Sequence, residues 1–183
     1  SVRVQEPGDA APTAEALPEG GGGSVRATIK FPLHNAVVTN NINLLRNIVS
    51  AMREGGLPLD EENQCGWTPL MRTVLIKSPE IPAAVTVLIN SGADVNAKNN
   101  YGARPLELAV IEKQAEIVKL LIKAEADVDA RAKIFTPLMH AVFDRSTEIV
   151  KLLIEAGADV NAKTDSSEEW TPLMCAVMAA SSE

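Results

Sequence analysis

Apolar residues along this chain fall at helical spacing in short bursts, each opened by a Thr-Pro or a bare Pro and closed by Gly or a polar turn. Residues 136–157 show the pattern most plainly. Thr136 is placed to cap a helix with its hydroxyl, and Pro137 occupies the first turn, where its missing N–H costs nothing. Leu138, Ala141 and Val142 then share one face, and the small Ala141 allows close approach of a neighbouring helix. A second helix follows at once. Ile149, Val150, Leu152 and Leu153 form its buried stripe, and Glu148, Lys151 and Glu155 face water. Gly157 ends it, because glycine enters the left-handed conformation freely. The polar stretch after Val160 is expected to turn outward.

The same unit recurs. Pro-Leu pairs stand at Pro32, Pro69, Pro105, Pro137 and Pro172, at intervals of 37, 36, 32 and 35 residues, a period that signals a solenoid. Between them lie GADVNA at Gly92–Ala97 and Gly157–Ala162, EADVDA at Glu125–Ala130, and the near-identical EIVKLLIKA and EIVKLLIEA at 116–124 and 148–156. Together these strings resemble the ankyrin repeat, with its TPLHxA opening, IVxLLL helix and GADVN turn. The resemblance covers about five repeats, near 30–62, 63–98, 99–131, 132–163 and 164–183. It implies an all-α ankyrin-repeat solenoid of helix-turn-helix units with projecting β-hairpin fingers over residues 28–183, and a protein-protein interaction module as its function.

Departures from the pattern mark particular places. Repeat two carries Ser78 to Pro82 between its helices, about three residues more than repeats three and four, and that loop is expected to bulge. Repeat three has Arg104 in place of the capping Thr and Glu125 in place of the terminal Gly, which makes it the softest repeat, since a side chain in a left-handed position costs on the order of 1 kcal/mol. The finger before repeat four has Ile134 where a Gly is usual. Repeat one, with a longer second helix ending at Gly55-Gly56, reads as an N-terminal cap. Repeat five has one helix, whose apolar side is expected to face water unless more chain or another protein covers it, or unless Leu173–Ala180 acts as a half-repeat cap. Residues 1–27, with Pro7, Pro12, Pro18 and Gly20–Gly23 and no apolar periodicity, read as a disordered leader or linker. The chain opens on Ser1, as expected of an excised fragment or of a chain that has lost a leading segment.

Composition narrows the chemistry. Hydrophobic content of 46% with 3% aromatics describes an aliphatic core of closely packed small helices, and a net charge of −7 argues against a phosphate-backbone partner. No apolar run reaches the length of a membrane span. Cys65 and Cys175 sit outside any metal or redox spacing and read as passive thiols. The lone cysteines are compatible with a reducing cytoplasm, and loss of a signal peptide would instead make the chain secreted or periplasmic.

No catalytic constellation emerges, so the chain reads as a non-enzyme without cofactor or metal, and as a monomer. His34 and His140 read as structural; Asp94, Asp127 and Asp159 recur once per repeat and read as turn residues; Gly20–Gly23 lacks the Lys-Ser/Thr of a phosphate loop. The alternative function is a regulatory or targeting segment of a larger enzyme or secreted effector. The rare aromatics suggest where a partner protein would bind. Trp67, Phe135 and Trp170 stand just before the Pro-Leu elements, Tyr101 stands on a finger, and Phe143 holds a place that in this family tends to face the concave groove. These five are candidate anchors in an exposed strip, with packing of each ring against the next finger as the plainer explanation. Leu75 and Ile76 would extend the strip, and Arg72, Arg104 and Arg131 would supply its polar rim.

Overall fold

The computed structural model describes residues 32–39, 41–132, 134–165, 167 and 169–181. The leader expected over 1–27 lies outside them. Nine helices are present among the described residues: α1 (Pro32–Val38), α2 (Ile42–Glu54), α3 (Pro69–Val74), α4 (Ile81–Asn90), α5 (Pro105–Ile111), α6 (Ala115–Lys123), α7 (Pro137–Phe143), α8 (Thr147–Glu155) and α9 (Pro172–Ala180). Consecutive helices pair, α1 with α2 through α7 with α8, and the pairs stack. The odd-numbered helices pack in one layer and the even-numbered ones in the other, with α9 against α7.

Local chemistry opens each unit. The Thr68, Thr136 and Thr171 hydroxyls accept from the main-chain N–H of Met71, Met139 and Met174 at 3.3, 3.3 and 3.4 Å, satisfying donors that a helix start leaves over. Arg104 provides no such bond to α5. The second helices end at left-handed residues, Gly92 at φ +97°, Gly157 at φ +90° and, in repeat three, Glu125 at φ +64°. Both sequence departures in repeat three therefore have structural counterparts.

The core lies between the layers. Leu33, Leu70, Leu106 and Leu138, each one residue after its Pro, are almost completely buried, and meet Val49, Leu88, Leu121 and Leu153 from the second helices in a continuous aliphatic column. Full burial of one such side chain stabilises by roughly 1.5–3 kcal/mol. In repeat two the inter-helix loop spans residues 75–80, against 112–114 and 144–146 in the next two, longer as expected, but Leu75 and Ile76 belong to the loop and Ile81 and Pro82 open α4 because Pro suits a first helical turn.

The turns are stitched repeat to repeat. Asp94, Asp127 and Asp159 each accept from the N–H two residues on, at 2.8, 3.1 and 2.9 Å. Their own N–H groups donate to the preceding repeat: Asp94 to both carboxylate oxygens of Asp60 at 3.0 Å, Asp127 to Asn96 Oδ1 at 2.8 Å, and Asp159 to Asp129 Oδ1 at 2.9 Å. The aspartates are thus turn residues. The fingers close by single main-chain bonds, such as Asn63 N to Trp67 O at 3.1 Å and Asn99 N to Ala103 O at 3.0 Å, and by an isolated bridge between Ala132 and Phe135. Among the described residues they are tight turns rather than two-stranded ladders. Gly66 (φ +75°) is needed at one of them, because a Cβ there would stand 2.9 Å from the Asn100 nitrogen of the next finger.

Candidate functional site

The exposed strip expected from the aromatics is only partly found. Trp67 is 7% exposed and belongs to the main core. Phe135 and Trp170 are half-buried against Met139, Ala162 and Cys175. The position before Thr-Pro lies at the root of the finger, where main-chain bonds fix the turn. Asn63 Oδ1 accepts from Trp67 N at 3.1 Å, and Thr164 Oγ1 from Trp170 N at 2.8 Å. A large ring placed there covers apolar surface instead of reaching outward. For Trp67 the expectation of an exposed anchor is therefore corrected, and for Phe135 and Trp170 packing accounts for the ring. Leu75 and Ile76 are half-buried against the core.

Two of the expected anchors do stand in the open: Tyr101 is 51% and Phe143 58% exposed. The Tyr101 hydroxyl meets the Cys65 side chain of the preceding finger, and the hydrogen bond and electrostatic interaction between them raise the phenol's pKa above its ordinary value. The Cys175 thiol is buried, and burial likewise pushes its pKa up, which keeps it a protonated packing group. The arginines expected at the rim are engaged within the chain. Arg104 pairs with Asp127 at 3.0 Å and Arg131 with Asp165 at 2.6 Å, and Arg72 is half-buried with a partner of its own.

What surrounds Phe143 was missed. Six residues after the Pro-Leu prolines of repeats two to five come Leu75, Ile111, Phe143 and Met178. Because α3, α5, α7 and α9 pack side by side, these residues stand in a row. Leu75 is half-buried, while Ile111, Phe143 and Met178 are 39%, 58% and 47% exposed. Counting six from these prolines, rather than searching for aromatics, would have found Ile111 and Met178.

An ionic ladder runs beside the row, one repeat reaching to the next. Lys77 pairs with Glu112 at 3.0 Å, and Lys113 with Asp144 at 3.7 Å. Arg145 donates to the Ala179 carbonyl. One turn earlier on the same helices, Glu107 is almost completely buried, and its Oε1 stands 3.3 Å from His140 Nε2. Its Oε2 has no hydrogen-bond partner among the described residues. The His140 ring meets Phe135 edge to face, with centroids 5.4 Å apart, so His140 has a structural setting. The side chain of His34 lies outside the described residues.

A row of apolar side chains on rigid helices, flanked by fixed charges, can hold another chain by contact. Among the described residues no three metal-ligating side chains converge, and no helix is long and apolar enough to cross a membrane.

Stacked helix pairs with inter-repeat turn ladders define a helical-repeat protein. The family model described as ankyrin repeats (3 copies) matches residues 33–132 and 131–183, and the chain belongs to the ankyrin-repeat family. It is similar to human B-cell lymphoma 3 protein, 30% identical over 104 residues that make up 55% of this chain and 22% of that protein. It is also similar to the ankyrin repeat protein YahD of Escherichia coli (strain K12), 37% identical over 70 residues, 37% of this chain and 35% of YahD. The crystal structure of the ankyrin repeat domain of Bcl-3, a member of the IkappaB protein family, superposes with a TM-score of 0.74 at 32% identity, covering 80% of this chain and 65% of that one. The chain thus spans about a fifth to a third of the length of these curated relatives.

Proposed function

We propose that the chain binds a partner protein along the face of its first helices, with Ile111, Phe143 and Met178 as the apolar floor and Tyr101 as a contact from the finger side. The observation that supports this reading most is the exposed Ile111–Phe143–Met178 row, set on helices whose other large side chains are mostly buried in α5 and α7. Large apolar groups in a polar frame are where interface energy concentrates. The Lys77–Glu112 and Lys113–Asp144 pairs would form a charge-balanced rim. The net charge of −7 supports a protein partner over a nucleic acid.

The test is to recover partners on the full chain, then measure affinity calorimetrically for Ile111→Ala and Phe143→Ala, with circular dichroism as the fold check. Each substitution is expected to weaken binding about tenfold, the usual scale of a hot-spot truncation. Ile154→Ala, an exposed apolar residue on α8, serves as the control and is expected to leave affinity unchanged. Normal binding by both first-helix variants would overturn the assignment.

A further inference from the structure

The other layer of the solenoid carries a second surface, independent of the first-helix row. An open groove of about 500 Å³ runs between α2 and the C-terminal end of α4. Half-buried Val87 is its accessible apolar floor, with Val49 almost completely buried at its base; Arg46 and Arg53 flank it from α2, and Ser50 and Ser91 line it with small side chains. Glu54 also lines it, its Oε1 3.3 Å from the Ser50 hydroxyl.

Charge on this layer is unevenly placed. Helix α4 has no ionisable residue, α6 and α8 carry both signs, and α2 carries Arg46 and Arg53 against Glu54 alone, in a chain of net charge −7. Both arginines are exposed, and among the described residues neither has an ion-pair partner. They stand seven residues apart on one helix, two turns and so about 10.5 Å along its axis. A helix laid along α2 repeats its own side chains at that same rise. Two carboxylates seven positions apart would meet the two guanidinium groups, and a leucine between them would meet Val87. Arginine favours such carboxylate pairing through its planar, multi-donor head.

We infer that the α2–α4 groove docks an acidic, leucine-bearing helical segment of a partner protein, with its carboxylates on Arg46 and Arg53 and its leucine side on Val87.

The experiment titrates the full chain, isotopically labelled, with a synthetic helical peptide that has glutamates seven positions apart and leucines between them. A second peptide has glutamine in place of those glutamates. Saturable amide shifts confined to α2 and α4 are expected, weakening with added salt. The Arg46→Gln/Arg53→Gln double variant and the glutamine peptide are each expected to reduce affinity about tenfold, the scale of two exposed charge pairs lost together. Both arginines are exposed, so the double variant is expected to keep its melting temperature. Phe143→Ala is expected to leave this binding untouched, which separates it from the first-helix face. Absence of saturable shifts, shifts on α5 and α7 instead, or an unchanged affinity in the double variant would each overturn the inference.

Discussion

Glu107 places its carboxylate 3.3 Å from the His140 imidazole of the next repeat, in a position that Met71 and Met139 occupy in the repeats on either side. Both methionines are fully buried, and Glu107 is nearly so. A carboxylate with one oxygen unpartnered thus interrupts an apolar row, and such a group costs about 1–3 kcal/mol.

Glu107→Met is expected to stabilise the fold by about 1 kcal/mol, because methionine fits that row and His140, still about a quarter exposed, can turn to water. Denaturant titration measures it. A loss of more than about 1 kcal/mol would mean that the Glu107–His140 contact is a net clasp between α5 and α7.

Glu125→Gly is expected to stabilise by about 0.5–1 kcal/mol. Glu125 holds φ +64°, where the matching residues are Gly92 and Gly157, and a side chain in that region carries a steric cost that glycine lacks. Equal or lower stability would show that the Glu125 side chain contributes more than its backbone strain removes.

Arg104→Thr restores the cap that Thr68, Thr136 and Thr171 supply elsewhere, worth about 1 kcal/mol. It also removes the Arg104–Asp127 pair, a partly exposed contact worth about 0.5 kcal/mol. The buried Arg104 Nε has no partner, so its removal adds no further penalty. A net gain of about 0.5 kcal/mol is expected in chemical denaturation, and a net loss would place the ion pair above the cap.

Asp60 tests the turn ladder through pH. Burial, opposed by the hydrogen bond from Asp94 N and reinforced by repulsion from Asp94 and Glu62, raises its pKa above the ordinary 3.8. The folded state therefore holds this proton more tightly. The resulting stabilisation is complete below the unfolded pKa and is lost as pH rises through the folded one. Asp60→Asn keeps an oxygen for Asp94 N, as Asn96 does for Asp127 N at 2.8 Å, without the charge. The variant is expected to be more stable than the parent at about pH 7, with the difference shrinking towards about pH 3. A pH-independent difference in urea titrations would contradict this.

What could be read from the residues alone was whatever a few neighbouring side chains settle among themselves. Thr-Pro opens a helix because a hydroxyl and a fixed φ act within one turn. The Gly92, Glu125 and Gly157 alignment revealed a left-handed residue because equivalent positions in a repeat share a backbone. The solenoid, its helix order and the longer inter-helix loop of repeat two followed from that periodicity. Which aromatic faces outward did not. Trp67 and Phe143 are both large rings near the start or end of a first helix, yet Trp67 packs into the core at a finger root and Phe143 stands in the open at the end of α7. The row from Ile111 to Met178, the Glu107–His140 contact and the α2–α4 groove likewise arise only when one repeat is stacked on another, since exposure and charge partners depend on atoms a full repeat away in the chain.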